Sequence, residues 1–108
     1  MPADTSFSES HASVRSTFAD DEEFRDVLEP FVASAQQQRK ELESFWGDNA
    51  LDEVRKIAHK LKGCGGGYGF PGLTSLAAAT EMACKTGDRM EIEISLRALL
   101  DFLDKMAV

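Results

Sequence analysis

Apolar residues recur three or four positions apart through most of this chain, which is the spacing of a helix with one buried face. From Phe24 they fall at Phe24, Leu28, Phe31, Ala35, Leu42 and Phe45, and only Gln38 interrupts the stripe. Asp20 and Asp21 can cap its start, and the acids that follow suit a helix N-terminus. Pro30 lies inside the stripe, where it removes a donor and clashes one turn back. The pattern therefore predicts either a kink or two helices, over 20–28 and 30–46. Gly47-Asp48-Asn49 is a break. A second helix begins near Asn49 or Ala50, with Leu51, Val54, Ala58 and Leu61 on its buried face and Gly65 and Tyr68 continuing it. Gly65, Gly66, Gly67 and Gly69 each lower helix propensity by about 1 kcal/mol. Together they should end that helix, unless another element has to approach the backbone there. Pro71 suits the first turn of a third helix, with Leu73, Leu76, Ala77, Thr80 and Cys84 on one face. After a break at Gly87-Asp88, the last helix carries Ile92, Leu96, Leu99, Leu103 and Met106.

No segment alternates as a strand does. The expected fold is all-α: an antiparallel up-down four-helix bundle over residues 20–108, with a short N-terminal helical extension. Residues 1–19, rich in Ser, Asp, Glu and Ala, read as a flexible or partly helical lead-in. At 108 residues the chain forms one domain, with no internal repeat. Its net charge of −7 argues against nucleic acid as a partner. No apolar run is long enough for a membrane span, and the polar start lacks a secretion core, so a cytoplasmic protein is expected. The start at Met1 favours a stand-alone protein, most simply a monomer. Cys64 and Cys84 are too few for a disulfide framework and read as reduced, small core or near-core residues. His11, in the lead-in, reads as a bystander.

Candidate chemistry concentrates in Ala58-His59-Lys60-Leu61-Lys62-Gly63. At about 100° per residue, His59 falls about 130° from the centre of its helix's apolar stripe, so it should face solvent. Lys62 is its i+3 neighbour and can meet the same ligand. Gly63 and Gly66, at i+4 and i+7, leave the surface beside the imidazole open to a bulky partner. Arg55, Lys56, Lys60 and Lys62 place four cations within eight residues with no acid among them, in an otherwise acidic protein. Such a field would stabilise a phosphoryl group, and an imidazole is a competent nucleophile near neutral pH. Glu81 borders the core stripe of the third helix and could orient the His59 ring. Continued past the glycines, the same helical wheel carries Phe70 to the histidine's side, and Met82 and Ile94 lie off the core stripes of their own helices. All three are candidates for exposed contacts. No metal site is expected: His59 and Cys64 diverge around their helix, and no carboxylate pair or His-x-x-x-His spacing completes a set. No Ser/His/Asp set suggests a hydrolase, and no nucleotide-binding glycine motif follows a strand.

The run Ile57-Ala58-His59-Lys60-Leu61-Lys62-Gly63-Cys64, then Tyr68-Gly69-Phe70-Pro71 and Leu73, resembles a histidine-containing phosphotransfer (HPt) domain. The family's His-x-x-Lys-Gly motif followed by a small residue is matched position for position, Cys64 standing where Ser or Ala is common. Leu76, Glu81 and Gly87-Asp88 sit where such domains place their third helix and its closing turn, and the resemblance covers residues 20 to 106. It implies a phosphocarrier rather than an enzyme, relaying phosphoryl groups between aspartates of response-regulator receiver domains, or from a hybrid sensor histidine kinase. By the same resemblance, His59 would be phosphorylated through its outer nitrogen and Lys62 would neutralise the charge. Arg55, Lys56, Lys60, Gly63, Gly66 and Phe70 would form the docking surface. The receiver would supply Mg²⁺ and the aspartate, so the domain itself needs no cofactor. The alternative is an adaptor that docks a receiver or sensor kinase without being phosphorylated.

Overall fold

The computed structural model describes residues 13–108. Helix α1 spans Glu22–Gly47, α2 Leu51–Cys64, α3 Pro71–Thr86 and α4 Arg89–Lys105, with a 3₁₀ turn over Gly66–Tyr68. Two-residue strands, β1 (Val14–Arg15) and β2 (Met106–Ala107), pair in parallel. The helices form a four-membered ring in which α1 packs on α2 and α4, and α3 packs on α2 and α4.

Local chemistry accounts for each boundary. The Asp21 carboxylate accepts from the backbone N–H groups of Glu23 and Phe24 and starts α1. Asp88 does the same for α4 through Met90 and Glu91. Pro71 opens α3, and Gly87 closes it in the left-handed conformation at φ 77°. Leu28, Leu42, Val54, Ala58, Leu61, Leu73, Ala77, Ile92, Leu96, Leu99 and Leu103 are all buried, so the apolar stripes converge on one core. Removing each large aliphatic chain from water stabilises the fold by about 1.5–3 kcal/mol.

Three expectations are narrowed or corrected. Of the kink and the two helices expected at Pro30, two separate helices is excluded, because α1 runs unbroken through it. Pro30 and Asp26 are both exposed, so solvent can take the Asp26 carbonyl that loses its i+4 partner. The burial of Leu28 and Ala35 on either side holds the helix together through that point. The segment before α1 carries no helical extension among the described residues: it is β1 followed by turns, and residues 1–12, with His11, lie outside them. The pairing of Val14 with Met106 and Arg15 with Ala107 ties this segment to the end of α4. Ser16 Oγ donates to the Tyr68 carbonyl at 2.7 Å, and Thr17 N–H donates to the Gly69 carbonyl at 2.9 Å. The strap thus lies across the glycine turn. Phe70, the third, follows that turn.

The turn explains its own glycines. Gly69 sits at φ 83°, and a Cβ there would lie 2.2 Å from Ser16 Oγ. A Cβ on Gly65 would lie 2.9 Å from Thr74 Oγ1 and 3.0 Å from the Thr74 nitrogen. The element that approaches the backbone there is the first turn of α3. Thr74 joins the two helices: its hydroxyl donates to the Lys62 carbonyl (3.2 Å) and accepts from the Gly66 N–H (2.8 Å). Helix α2 therefore ends at Cys64, and the chain reverses through Gly69. That reversal turns Phe70 inward, where it is 1% exposed. The wheel that put Phe70 beside His59 does not extend past Cys64, so Phe70 is a core residue and not part of a docking surface.

Candidate functional site

His59 lies on the third turn of α2, on the face opposite Ala58 and Leu61, and its side chain is 67% exposed. Its Nδ1 is 2.7 Å from Oε2 of Glu81 on α3. The other carboxylate oxygen, Oε1, is 2.6 Å from Lys62 Nζ. Glu81 is 4% exposed, in the seam between α2 and α3. A buried carboxylate requires partners, and here α2 supplies two from adjacent positions on one face.

The bond from Lys62 is the main influence on the Glu81 carboxyl. That bond and the one from His59 outweigh burial, which acts the other way, and hold the carboxyl down at about 2. Glu81 is thus ionised at neutral pH and can only accept hydrogen bonds. The hydrogen in the 2.7 Å contact belongs to His59 Nδ1. In the neutral ring the lone pair is then on Nε2, the outer nitrogen.

The remaining candidates divide. Gly63, one turn after His59 on α2, and Gly66, in the 3₁₀ turn beyond the helix, are both exposed. A Cβ on Gly63 would meet nothing within 4 Å, so internal packing does not require glycine there. Lys56 is turned toward Glu53, at 3.3 Å. With Lys62 held by Glu81, two of the four cations counted in sequence have carboxylate partners, and the local field is weaker than the count suggests. Arg55 is half-buried on the side of α2 toward Cys84, whose thiol is pushed up by burial while Arg55 opposes that shift. Lys60 lies at the mouth of a groove of about 370 Å³ between α1 and α2, which also involves Val27, Phe31, Cys64 and Tyr68. Met82 and Ile94 are exposed and line a separate groove between α3 and α4. Among the described residues, no group of three or more His, Cys, Asp or Glu side chains converges as a metal site. Two participants gave no signal in the sequence. Thr74 acts through a contact across two helices, and Lys85 Nζ comes within 4.0 Å of Glu81 Oε2.

The site is thus a solvent-facing imidazole on the second helix of a four-helix ring, backed by a buried acid on the third. The Hpt domain family model matches residues 26–107, so the chain belongs to the Hpt domain family. Membership places it in two-component phosphorelay signalling, as a carrier of phosphoryl groups rather than an enzyme, acting with receiver domains or kinases. Comparisons with curated proteins and with solved structures gave no significant match. Among the described residues, no helix is long and apolar enough to cross a membrane.

Proposed function

We propose that His59 accepts a phosphoryl group from a phospho-aspartyl receiver domain through Nε2 and passes it to another receiver aspartate. The observation that carries this reading is the 2.7 Å contact between Nδ1 and the ionised Glu81, which leaves Nε2 with its lone pair on an exposed face. In the step itself, the Nε2 lone pair attacks phosphorus. The bond from phosphorus to the aspartyl oxygen breaks, and the aspartate leaves as carboxylate. Nδ1 keeps its proton, so the phosphorylated ring is cationic, and Glu81 Oε2 faces that charge. The same cationic ring is a good leaving group for the return transfer, which uses no proton from solvent.

Lys62, one turn along α2 from His59, neutralises the phosphoryl oxygens. Gly63 and Gly66 keep the approach clear. The receiver brings the aspartate and Mg²⁺. Receiver domains are cytoplasmic modules, and a carrier that serves them works in that compartment.

The test is phosphoryl transfer from a phosphorylated receiver domain, with Mg²⁺, to the protein and to His59→Gln. Acid-labile label on the wild type alone is the expected result. Binding without label on the wild type, across several receivers, would replace the carrier with an adaptor.

A further inference from the structure

The Glu81 carboxylate has three nitrogen neighbours for its two oxygens among the described residues. Lys62 Nζ is 2.6 Å from Oε1, His59 Nδ1 is 2.7 Å from Oε2, and Lys85 Nζ is 4.0 Å from Oε2. The first two contacts are hydrogen bonds; the third is too long for one. Lys85 follows Glu81 by one turn of α3. With the acid on the N-terminal side, this is the favourable orientation of an i, i+4 pair. The Lys85 side chain is 54% exposed, so it has room to close the gap. In the resting arrangement Lys85 adds little, because at 4.0 Å it makes no hydrogen bond and each carboxylate oxygen already has a closer donor.

A phosphoryl group on Nε2 changes that balance. Lys62 would then serve two anions, the phosphoryl oxygens and Glu81 Oε1, with one ammonium. Glu81 cannot compensate by turning to water, because its side chain is 6% exposed in the α2–α3 seam. Oε2 keeps its bond from Nδ1–H, but Oε1 is left without a donor once Lys62 moves. A buried carboxylate oxygen in that position is unfavourable unless another donor reaches it.

We propose that Lys85 is a positioning residue of the phosphorylated state: it takes over Glu81 when Lys62 moves to the phosphoryl group. The two lysines exchange one buried carboxylate between them, so phosphorylation leaves no acceptor in the seam unpaired. This rests on His59 carrying the phosphoryl group as proposed above. The exchange itself moves side chains only. No proton leaves Nδ1, and the only covalent change is the new bond from Nε2 to phosphorus and the broken bond from phosphorus to the donor.

Phosphoramidate tests this without a partner protein: Nε2 attacks its phosphorus, the P–N bond breaks and ammonia leaves. Wild type, Lys85→Met, Lys85→Arg and His59→Gln are treated alike. Phosphohistidine decay is followed by ³¹P NMR, and the lysine side-chain nitrogens by ¹⁵N NMR. Before treatment, Lys85→Met should match wild type in melting temperature and in its His59 ring signals. After treatment, its phosphohistidine should hydrolyse about 3-fold faster, the scale of one partly exposed ion pair. Lys85→Arg should restore the wild-type lifetime, and the Lys85 Nζ signal of the wild type should shift on phosphorylation. Equal lifetimes in wild type and Lys85→Met, with that signal unmoved, would overturn the hand-off while leaving His59 as the carrier. Label retained by His59→Gln, or none on the wild type, would instead remove the carrier reading and the hand-off with it.

Discussion

His59 and Glu81 are 22 positions apart in sequence and 2.7 Å apart across the α2–α3 seam. The ionised acid fixes the ring's tautomer, so its removal should slow transfer without removing the nucleophile. Glu81→Ala is expected to lower the rate of phosphoryl acceptance about tenfold or more, the worth of a hydrogen bond to a charged group. Glu81→Gln retains an oxygen that accepts from Nδ1–H and should stay within about threefold of wild type. Rapid-quench transfer kinetics with one receiver separate the two; equal rates in wild type and Glu81→Ala would leave the acid without a role in transfer. The same carboxyl has a consequence for stability. Its value in the fold is about 2, against 4.5 for the free group, with the Lys62 bond as the main cause. Between those values the unfolded chain binds the proton more readily than the folded one. The contribution of Glu81 is therefore fully present above pH 4.5 and is lost as pH falls through about 2. Melting curves of wild type and Glu81→Gln should differ above pH 4.5 and converge toward pH 2. A difference that stays constant across that window would contradict the pairing.

At the end of α2, the first turn of α3 comes to backbone distance because of a missing side chain: Gly65 admits Thr74. Gly63 is different, since a Cβ there meets nothing. Gly63→Ala should raise stability by about 1 kcal/mol through helix propensity alone. Gly63→Leu should fold equally well yet dock a receiver poorly, by titration calorimetry, because its side chain would fill the approach to His59 proposed for the partner. Unchanged affinity would show that the partner does not cover this patch. The helices themselves were legible from the three-and-four spacing, because each buries one continuous stripe. Other features were not legible, for distinct reasons. Pro30 is a helix breaker by local chemistry, but it falls on an exposed face where the lost bond costs little. Phe70 was misplaced because a helical wheel has no meaning beyond the residue at which the helix ends. Glu81 was visible as a polar residue bordering an apolar stripe. Its bond to Lys62 depends on the axial register of two helices, which no single-helix pattern encodes.

At the scale of the molecule, the N-terminal strap, the glycine turn and the end of α4 close one end of the bundle around an aromatic series. Phe18 packs on Phe24 at 4.9 Å between centroids, Tyr68 stacks on Phe31 at 4.0 Å, and Phe70 meets Phe102 edge-on at 6.5 Å. Two-residue strands carry no alternation to read, so this closure left no trace in the sequence pattern. It does assign Phe70 a purely structural role: Phe70→Ala should cost about 3–5 kcal/mol in denaturant unfolding. A stable variant with impaired receiver binding would return Phe70 to the docking surface. The whole arrangement leaves Nε2 of His59 on an exposed face while Glu81 holds Nδ1. The most direct test is a long-range ¹H–¹⁵N spectrum of the imidazole before and after phosphorylation. The expected result is a hydrogen on Nδ1 before, and phosphorus coupled to Nε2 with Nδ1 still protonated after. Phosphorus on Nδ1, or a resting ring with its hydrogen on Nε2, would contradict it.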